Sequence, residues 1–199
     1  MIRTIIFDLS EVLIAGLIGI EEPLSVRLQV PEDEVLAAFG GSLLEALCRG
    51  RLSEDAYLSH IVRAQRWEIS ADALKRVIRR NLRRRVPGME DLVLRLAPAY
   101  ELVLLSDHAA EWIDYVRTVH PFLEVFDVQV FSFETGQLKS EPSTFRALLE
   151  DTDRKADECV FIDDSPLNVE VASGVGIPSI QFLDAKQLID SLRSRSVLV

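Results

Sequence analysis

Five short apolar runs, separated by stretches of helical periodicity, constrain what this chain can fold into. They are Ile5-Ile6-Phe7, Leu102-Val103-Leu104-Leu105, Val128-Gln129-Val130-Phe131, Cys159-Val160-Phe161-Ile162 and Ser179-Ile180-Gln181-Phe182. Each has strand length and is apolar, with β-branched or aromatic residues in most of them. The first, second and fourth show no polar alternation, the pattern of strands buried on both faces. Strands alternating with helices build right-handed βαβ units, so the runs predict one parallel sheet covered by helices on both sides. All strands of such a sheet end on one edge, and ligands bind beyond it.

That edge collects polar residues. The first run delivers Asp8 and Ser10, the second Ser106 and Asp107, and the fourth Asp163 and Asp164. The loop after the third carries Lys139, in Gly136-Gln137-Leu138-Lys139-Ser140-Glu141-Pro142. Taken singly, these residues have ordinary uses: Asp8 in a turn, Ser106 as a helix cap, Asp163-Asp164 at a helix start, Lys139 at the surface. Together they make a chemical site. Several carboxylates within a few ångströms do not all stay ionised without a cation. Asp8, Asp163 and Asp164, with a backbone carbonyl and waters, supply the oxygen ligands that magnesium prefers. Asp8 can then attack phosphorus and form an aspartyl-phosphate. Ser106 and nearby N–H groups can hold phosphoryl oxygens, and Lys139 supplies positive charge.

Between the first and second runs no strand pattern occurs from about Glu21 to Arg85. Pro31-Glu32-Asp33-Glu34, Ser53-Glu54-Asp55-Ala56 and Ser70-Ala71-Asp72-Ala73 open helices with capping or acidic first-turn residues. Leu36, Phe39, Leu43, Leu44 and Leu47 recur at helical spacing. The expected organisation is an α/β core of residues 1–16 and 86–199 with a helical cap of residues 17–85 inserted after the first strand, and Pro87-Gly88 as its hinge.

With 199 residues, 48% of them hydrophobic, the chain can bury a sizeable core. A net charge of −10 argues against nucleic acid as the main partner. One segment runs against that charge: seven of the eleven residues from Lys75 to Arg85 are basic. It reads either as a solvated helix face or as a local anion-attracting patch, with Arg84 and Arg85 the candidates to touch substrate. Cys48 and Cys159 are far apart in apolar surroundings and read as buried free thiols. His60, His108 and His120 are scattered, without zinc-site spacing. The N-terminus runs directly into a strand and no apolar run approaches the roughly 20 residues of a membrane span. The expected setting is cytoplasmic, as a monomer or homodimer acting on a small phosphate ester, with no membrane and no nucleic-acid partner.

The motifs resemble those of the haloacid dehalogenase superfamily. Ile5-Ile6-Phe7-Asp8-Leu9-Ser10-Glu11-Val12-Leu13 is similar to its first motif and Val103-Leu104-Leu105-Ser106 to its second. Lys139 with the following helix resembles the third, and Phe161-Ile162-Asp163-Asp164-Ser165-Pro166-Leu167-Asn168 the fourth. Arg49-Gly50-Arg51-Leu52-Ser53-Glu54-Asp55-Ala56-Tyr57 resembles the small C1-type cap of sugar-phosphatase-like members, including α-glucose-1-phosphate phosphatases. The resemblance implies a three-layer Rossmann-like core with strand order 5-4-1-2-3 and a magnesium-dependent phosphohydrolase site. It implies Asp8 as nucleophile and the Ser10 backbone carbonyl, Asp163 and Asp164 around the metal. It implies Ser106 and Lys139 on the phosphoryl group, with Asp107 beside them.

Three positions depart from the family pattern. Ser10 stands where a second Asp usually serves as general acid/base, and a hydroxyl does not readily protonate a leaving group at neutral pH. That argues against a phosphomutase and favours substrates with good leaving groups. Asp107 stands where Asn is common; its carboxylate repels phosphate unless it pairs with a cation or turns away. Ser140 replaces a common proline. The reading is a phosphatase of a small metabolite, sugar-phosphate-like or acyl phosphate. A catalytically degenerate binder is the alternative, and a metal-free 2-haloacid dehalogenase a more distant one.

Overall fold

The computed structural model describes residues 1–198. β1 (Thr4–Phe7) is followed by five helices: α1 (Glu21–Leu28), α2 (Glu32–Ala38), α3 (Gly41–Cys48), α4 (Glu54–Gln65) and α5 (Ala71–Leu82). Then come α6 (Met89–Leu96), β2 (Glu101–Ser106), α7 (Ala110–Val119), β3 (Val128–Phe131) and α8 (Ser132–Thr135). α9 (Pro142–Thr152), β4 (Cys159–Asp163), α10 (Pro166–Gly174), β5 (Ser179–Gln181) and α11 (Ala185–Ser194) complete the described chain.

The strands form one parallel sheet in the order β3-β2-β1-β4-β5, the predicted order read from its other edge. β1 is central, and all four of its residues are buried. Its alternate side chains enter different cores, which explains the unbroken apolar runs. Ile6, Val103, Leu105 and Phe161 face Phe145 and Leu148 of α9 and Ala172 of α10. Ile5, Phe7, Leu102, Leu104, Val160 and Ile162 share the other core with α6, α7, α11 and the helical insert. No helix is long and apolar enough to cross a membrane among the described residues.

The insert is helical, as its caps predict. Ser53 Oγ accepts the Ala56 N–H at 3.3 Å and Ser70 Oγ accepts the Ala73 N–H at 3.2 Å. The periodic run from Leu36 to Leu47 is not one helix. Gly40 and Gly41 interrupt it, with Gly41 at φ 74°. α1 carries a weak signal because Leu24 is its one buried residue.

Polar side chains tie the insert to the core. Glu54, only 2% exposed, accepts from Trp112 Nε1 at 2.7 Å and from Arg79 Nη2 at 2.9 Å. Lys75 lies 2.6 Å from Asp55, and Arg79 stacks over the Tyr115 ring. The basic run is therefore partly neutralised within the fold, while Arg76, Arg80, Arg83 and Arg84 are exposed. Gly50 (φ 68°) lies against the core, and a Cβ there would stand 2.7 Å from the Phe133 carbonyl oxygen. Gly50→Ala is expected to cost about 2 kcal/mol, read calorimetrically as a melting temperature about 4–8 °C lower.

Candidate active site

Asp8 follows the last ladder residue of β1. Its N–H donates to the Ile162 carbonyl at 2.9 Å, so β4 fixes its backbone. The register pairs Phe7 with Leu104 and with Ile162, which sets Ser106 and Asp163-Asp164 alongside at the same sheet edge. Asp8 is buried, and its Oδ1 lies 2.5 Å from Lys139 Nζ. The same ammonium lies 2.6 Å from Asp163 Oδ2. Asp163 is fully buried, and its Oδ1 accepts the Ser165 N–H at 2.8 Å and Asn168 Nδ2 at 3.1 Å. The α10 N-terminus thus orients Asp163, and Asp163 in turn orients Lys139.

Asp8, Asp163 and Asp164 each offer an oxygen, and the three lie within 4.8 Å of one another. The donors are all carboxylate oxygens, the set that suits a hard divalent cation. Three carboxylates face one ammonium, and the charge imbalance is visible in the ionisation equilibria. Burial pushes Asp8 up to about 8; Lys139 opposes the shift, and the Asp163 and Asp164 charges add to it. Burial also raises Asp164, with Asp163 adding to the shift. For Lys139, burial works against the charge, but Asp8, Asp163 and Asp107 together hold its pKa above the ordinary lysine value. Lys139 stays protonated, and the carboxylates retain a proton for want of a second positive charge.

The sequence-predicted residues do not all converge. Asp8, Lys139, Asp163 and Asp164 come together. Ser106 is buried at the end of β2, and its Oγ has no hydrogen-bond partner among the described residues. Ser10 lines the cleft with Asp8 and Asp164. Gly16 passes so close behind it that a Cβ there would meet Ser10 Cβ at 2.8 Å.

Asp107 has a use beside the one expected. Both of its carboxylate oxygens accept the Lys139 N–H, at 3.1 Å each, so the side chain holds the Lys139 loop while it lines the cleft with Asp8. Burial raises its pKa, and Lys139 opposes the shift. The arginines stand elsewhere. Arg85 pairs with Glu90 and stacks over Phe122. Arg84 bonds Asn81 Oδ1 at 3.0 Å and lines a separate cavity of about 570 Å³ beside α1.

The cleft over Asp8 has a volume of about 220 Å³. Leu44, Cys48 and Leu82 of the insert line it together with His108, Trp112, Glu11 and Asp107. Glu11 adopts φ 59°, and this left-handed turn swings its side chain into the cleft wall. There Oε1 accepts the Gly16 N–H at 2.8 Å and the Ile18 N–H at 3.2 Å. Neither Glu11 nor His108 stands out by residue type. The one available sign for His108 is its place two residues after Ser106, at the mouth of a strand.

A buried carboxylate at a cleft floor, next to an ammonium and an oxygen-donor cluster, is equipped for nucleophilic displacement at an electrophilic centre. Comparison with known proteins agrees with this geometry. The sequence profile of the haloacid dehalogenase-like hydrolases matches residues 5–182. No curated protein matches the chain in sequence. Among solved structures, a haloacid dehalogenase family enzyme from Bacteroides thetaiotaomicron, in complex with magnesium and inorganic phosphate, superposes with a TM-score of 0.73 at 23% identity, covering 93% of this chain and 96% of its own. A protein from Porphyromonas gingivalis, predicted to be a hydrolase of the same kind, gives 0.73 at 22% identity over 100% of both chains. The L-2-haloacid dehalogenase of Xanthobacter autotrophicus, with chloropropionic acid covalently bound, gives 0.68 at 15% identity, covering 100% of this chain and 85% of its own. At these identities the likeness is one of fold.

Proposed function

The chain belongs to the haloacid dehalogenase-like hydrolase family, and on that premise we propose that it is a magnesium-dependent phosphatase of a small phosphorylated metabolite. The observation that carries the proposal is the Asp8 carboxylate at the cleft floor, 2.5 Å from the Lys139 ammonium and clustered with Asp163 and Asp164. The magnesium and phosphate recorded in the Bacteroides enzyme support the same reading.

Asp8, Asp164 and the Ser10 carbonyl would hold the ion, with Asp163 behind them. Magnesium, when bound, supplies the positive charge that lets an anionic carboxylate approach a phosphate dianion. Asp8 Oδ attacks phosphorus, and the leaving group takes the electron pair of the broken P–O bond. Lys139 stays protonated and offsets charge on the nucleophile and the transferring group. The unpartnered Ser106 hydroxyl donates to a phosphoryl oxygen. Asp107 acts through the Lys139 N–H as a positioning residue. Residues 17–85 serve as a cap, whose Leu44, Cys48 and Leu82 exclude water from the cleft.

Ser10 gives the leaving group no proton. Ser10→Asp is therefore expected to raise kcat/KM for alkyl phosphates by about tenfold or more, and to raise aryl phosphate turnover much less. Comparing the two substrate classes in the variant checks this.

Phosphate release from 4-nitrophenyl phosphate that needs magnesium and stops with a chelator tests the proposal. A degenerate binder would turn over no phosphate ester. A dehalogenase would instead release chloride from 2-chloropropionate without magnesium. The Asp163 and Asp164 carboxylates beside the nucleophile speak against that second reaction, because they disfavour its anionic substrate.

A further inference from the structure

We infer that the phosphoryl group this site transfers is carried on a small acyl group, and that His108 selects the substrate by donating a hydrogen bond to the acyl carbonyl. The inference rests on the phosphatase reading and narrows its substrate class.

Apart from the carboxylates, the cleft is lined mostly by apolar side chains. Leu44 and Leu82 offer no hydrogen bonds, and the Trp112 indole N–H is already given to Glu54 at 2.7 Å. Burial pushes the Cys48 thiol up to about 12, so it adds no charge. A sugar leaving group would lose the hydration of several hydroxyls against this surface. Each unreplaced hydrogen bond costs about tenfold in affinity or more. A second anionic group fares no better. Lys139 is taken by Asp8 and Asp163, while Arg84 and Arg85 lie outside the cleft. A volume of about 220 Å³ leaves room for the phosphoryl group and a small body.

His108 adds a neutral ring to this lining. It is 2% exposed and lines the cleft. Its Nδ1 accepts the Ala109 N–H at 3.2 Å, so the proton of the neutral ring sits on Nε2. Burial drives its pKa down to about 4, which keeps the ring neutral. Trp112 meets it edge-on with centroids 5.5 Å apart and fixes the ring plane. Nε2 makes no hydrogen bond among the described residues, so it is a neutral donor on a side chain that lines the cleft. A neutral donor fits a carbonyl oxygen, which a simple alkyl or aryl ester lacks.

The chemistry at Ser10 points the same way. Asp8 Oδ forms a bond to phosphorus as the bond between phosphorus and the acyl oxygen breaks. The electron pair leaves with a carboxylate, which needs no proton. Water then attacks phosphorus, Asp8 is released as a carboxylate, and the proton of the water ends on inorganic phosphate.

The test compares kcat/KM of the full chain with magnesium on acetyl phosphate, phenyl phosphate, glucose 1-phosphate and glucose 6-phosphate. Acetyl phosphate is expected to exceed both hexose phosphates by about 100-fold or more, the sum of two or more unreplaced hydroxyl bonds. His108→Phe is expected to lower the acetyl value about tenfold more than the phenyl value, and His108→Gln, which keeps an N–H donor, to restore part of the difference. Should neither variant fold, the wild-type ratios still decide the question. Hexose phosphates turned over as well as acetyl phosphate, or equal losses on both probes in His108→Phe, overturn this inference and leave the phosphatase reading standing. Failure to hydrolyse any of the four overturns both.

Discussion

Asp8→Asn is expected to lower phosphate-ester turnover by about 10⁴-fold or more and, without metal, to raise the melting temperature by about 3–6 °C. The loss follows from removing the attacking oxygen. The gain follows from the charge balance at the sheet edge. Asp8 has a folded pKa of about 8 against an ordinary 3.8, with burial as the first cause. A raised carboxyl holds more proton folded than unfolded between those values. The stability linked to it is complete below the unfolded pKa and is lost as pH rises through the folded one. Asn has no such proton to lose, so its advantage should be absent near pH 4 and grow towards pH 8. Lys139 keeps Asp163 at 2.6 Å in the variant, so no buried ammonium is stranded. Melting curves of both proteins across that pH range, with and without magnesium, check the claim. Magnesium should stabilise the wild type more than the variant.

Lys139→Ala is expected to have the opposite effect. It leaves Asp8, Asp163 and Asp107 without the ammonium that faces all three. Removing one partner of a buried ion pair costs about 3–5 kcal/mol, which for a chain of this size lowers the melting temperature by about 10 °C or more. Millimolar magnesium should recover part of that loss, since the carboxylate oxygens within 4.8 Å of one another can share a divalent charge. Turnover should fall by about 10²-fold or more even where the protein is folded. An unchanged melting temperature, or a loss that magnesium does not touch, would mean that Lys139 does not carry the charge balance assigned to it.

Both predictions concern residues whose positions are legible in the sequence. Apolar runs such as Ile5-Ile6-Phe7 and Val160-Phe161-Ile162 read as buried strands, and parallel strands deliver whatever follows them to one edge. Asp8, Ser106, Asp163 and Asp164 were found by that rule. Lys139 lies in the loop beyond α8, and the same rule reaches it because that loop follows the third strand.

What could not be read is where side chains point once the strand ends. Asp107 follows Ser106 directly, yet it turns towards the Lys139 N–H, a partner 32 residues away in the chain. Arg84 and Arg85 close a basic run that suggested a cleft wall, but Asn81 holds one and Glu90 the other. Glu11 enters the cleft wall through a left-handed backbone that few residues adopt and that no residue-type rule assigns to Glu. His108 carries no metal-site signal in the sequence, since it lacks zinc-site spacing. Its meaning depends on the apolar lining around it, which is built largely by the helical insert.

The claim on which the account stands is that Asp8 itself carries the phosphoryl group. Acid-quenching the protein during turnover of acetyl phosphate with magnesium, then digesting it and sequencing the peptides by mass spectrometry, tests this directly. The account predicts one added phosphoryl group on the peptide containing Asp8, and none in Asp8→Asn. Turnover with no modified peptide, or with the group on another residue, would contradict it.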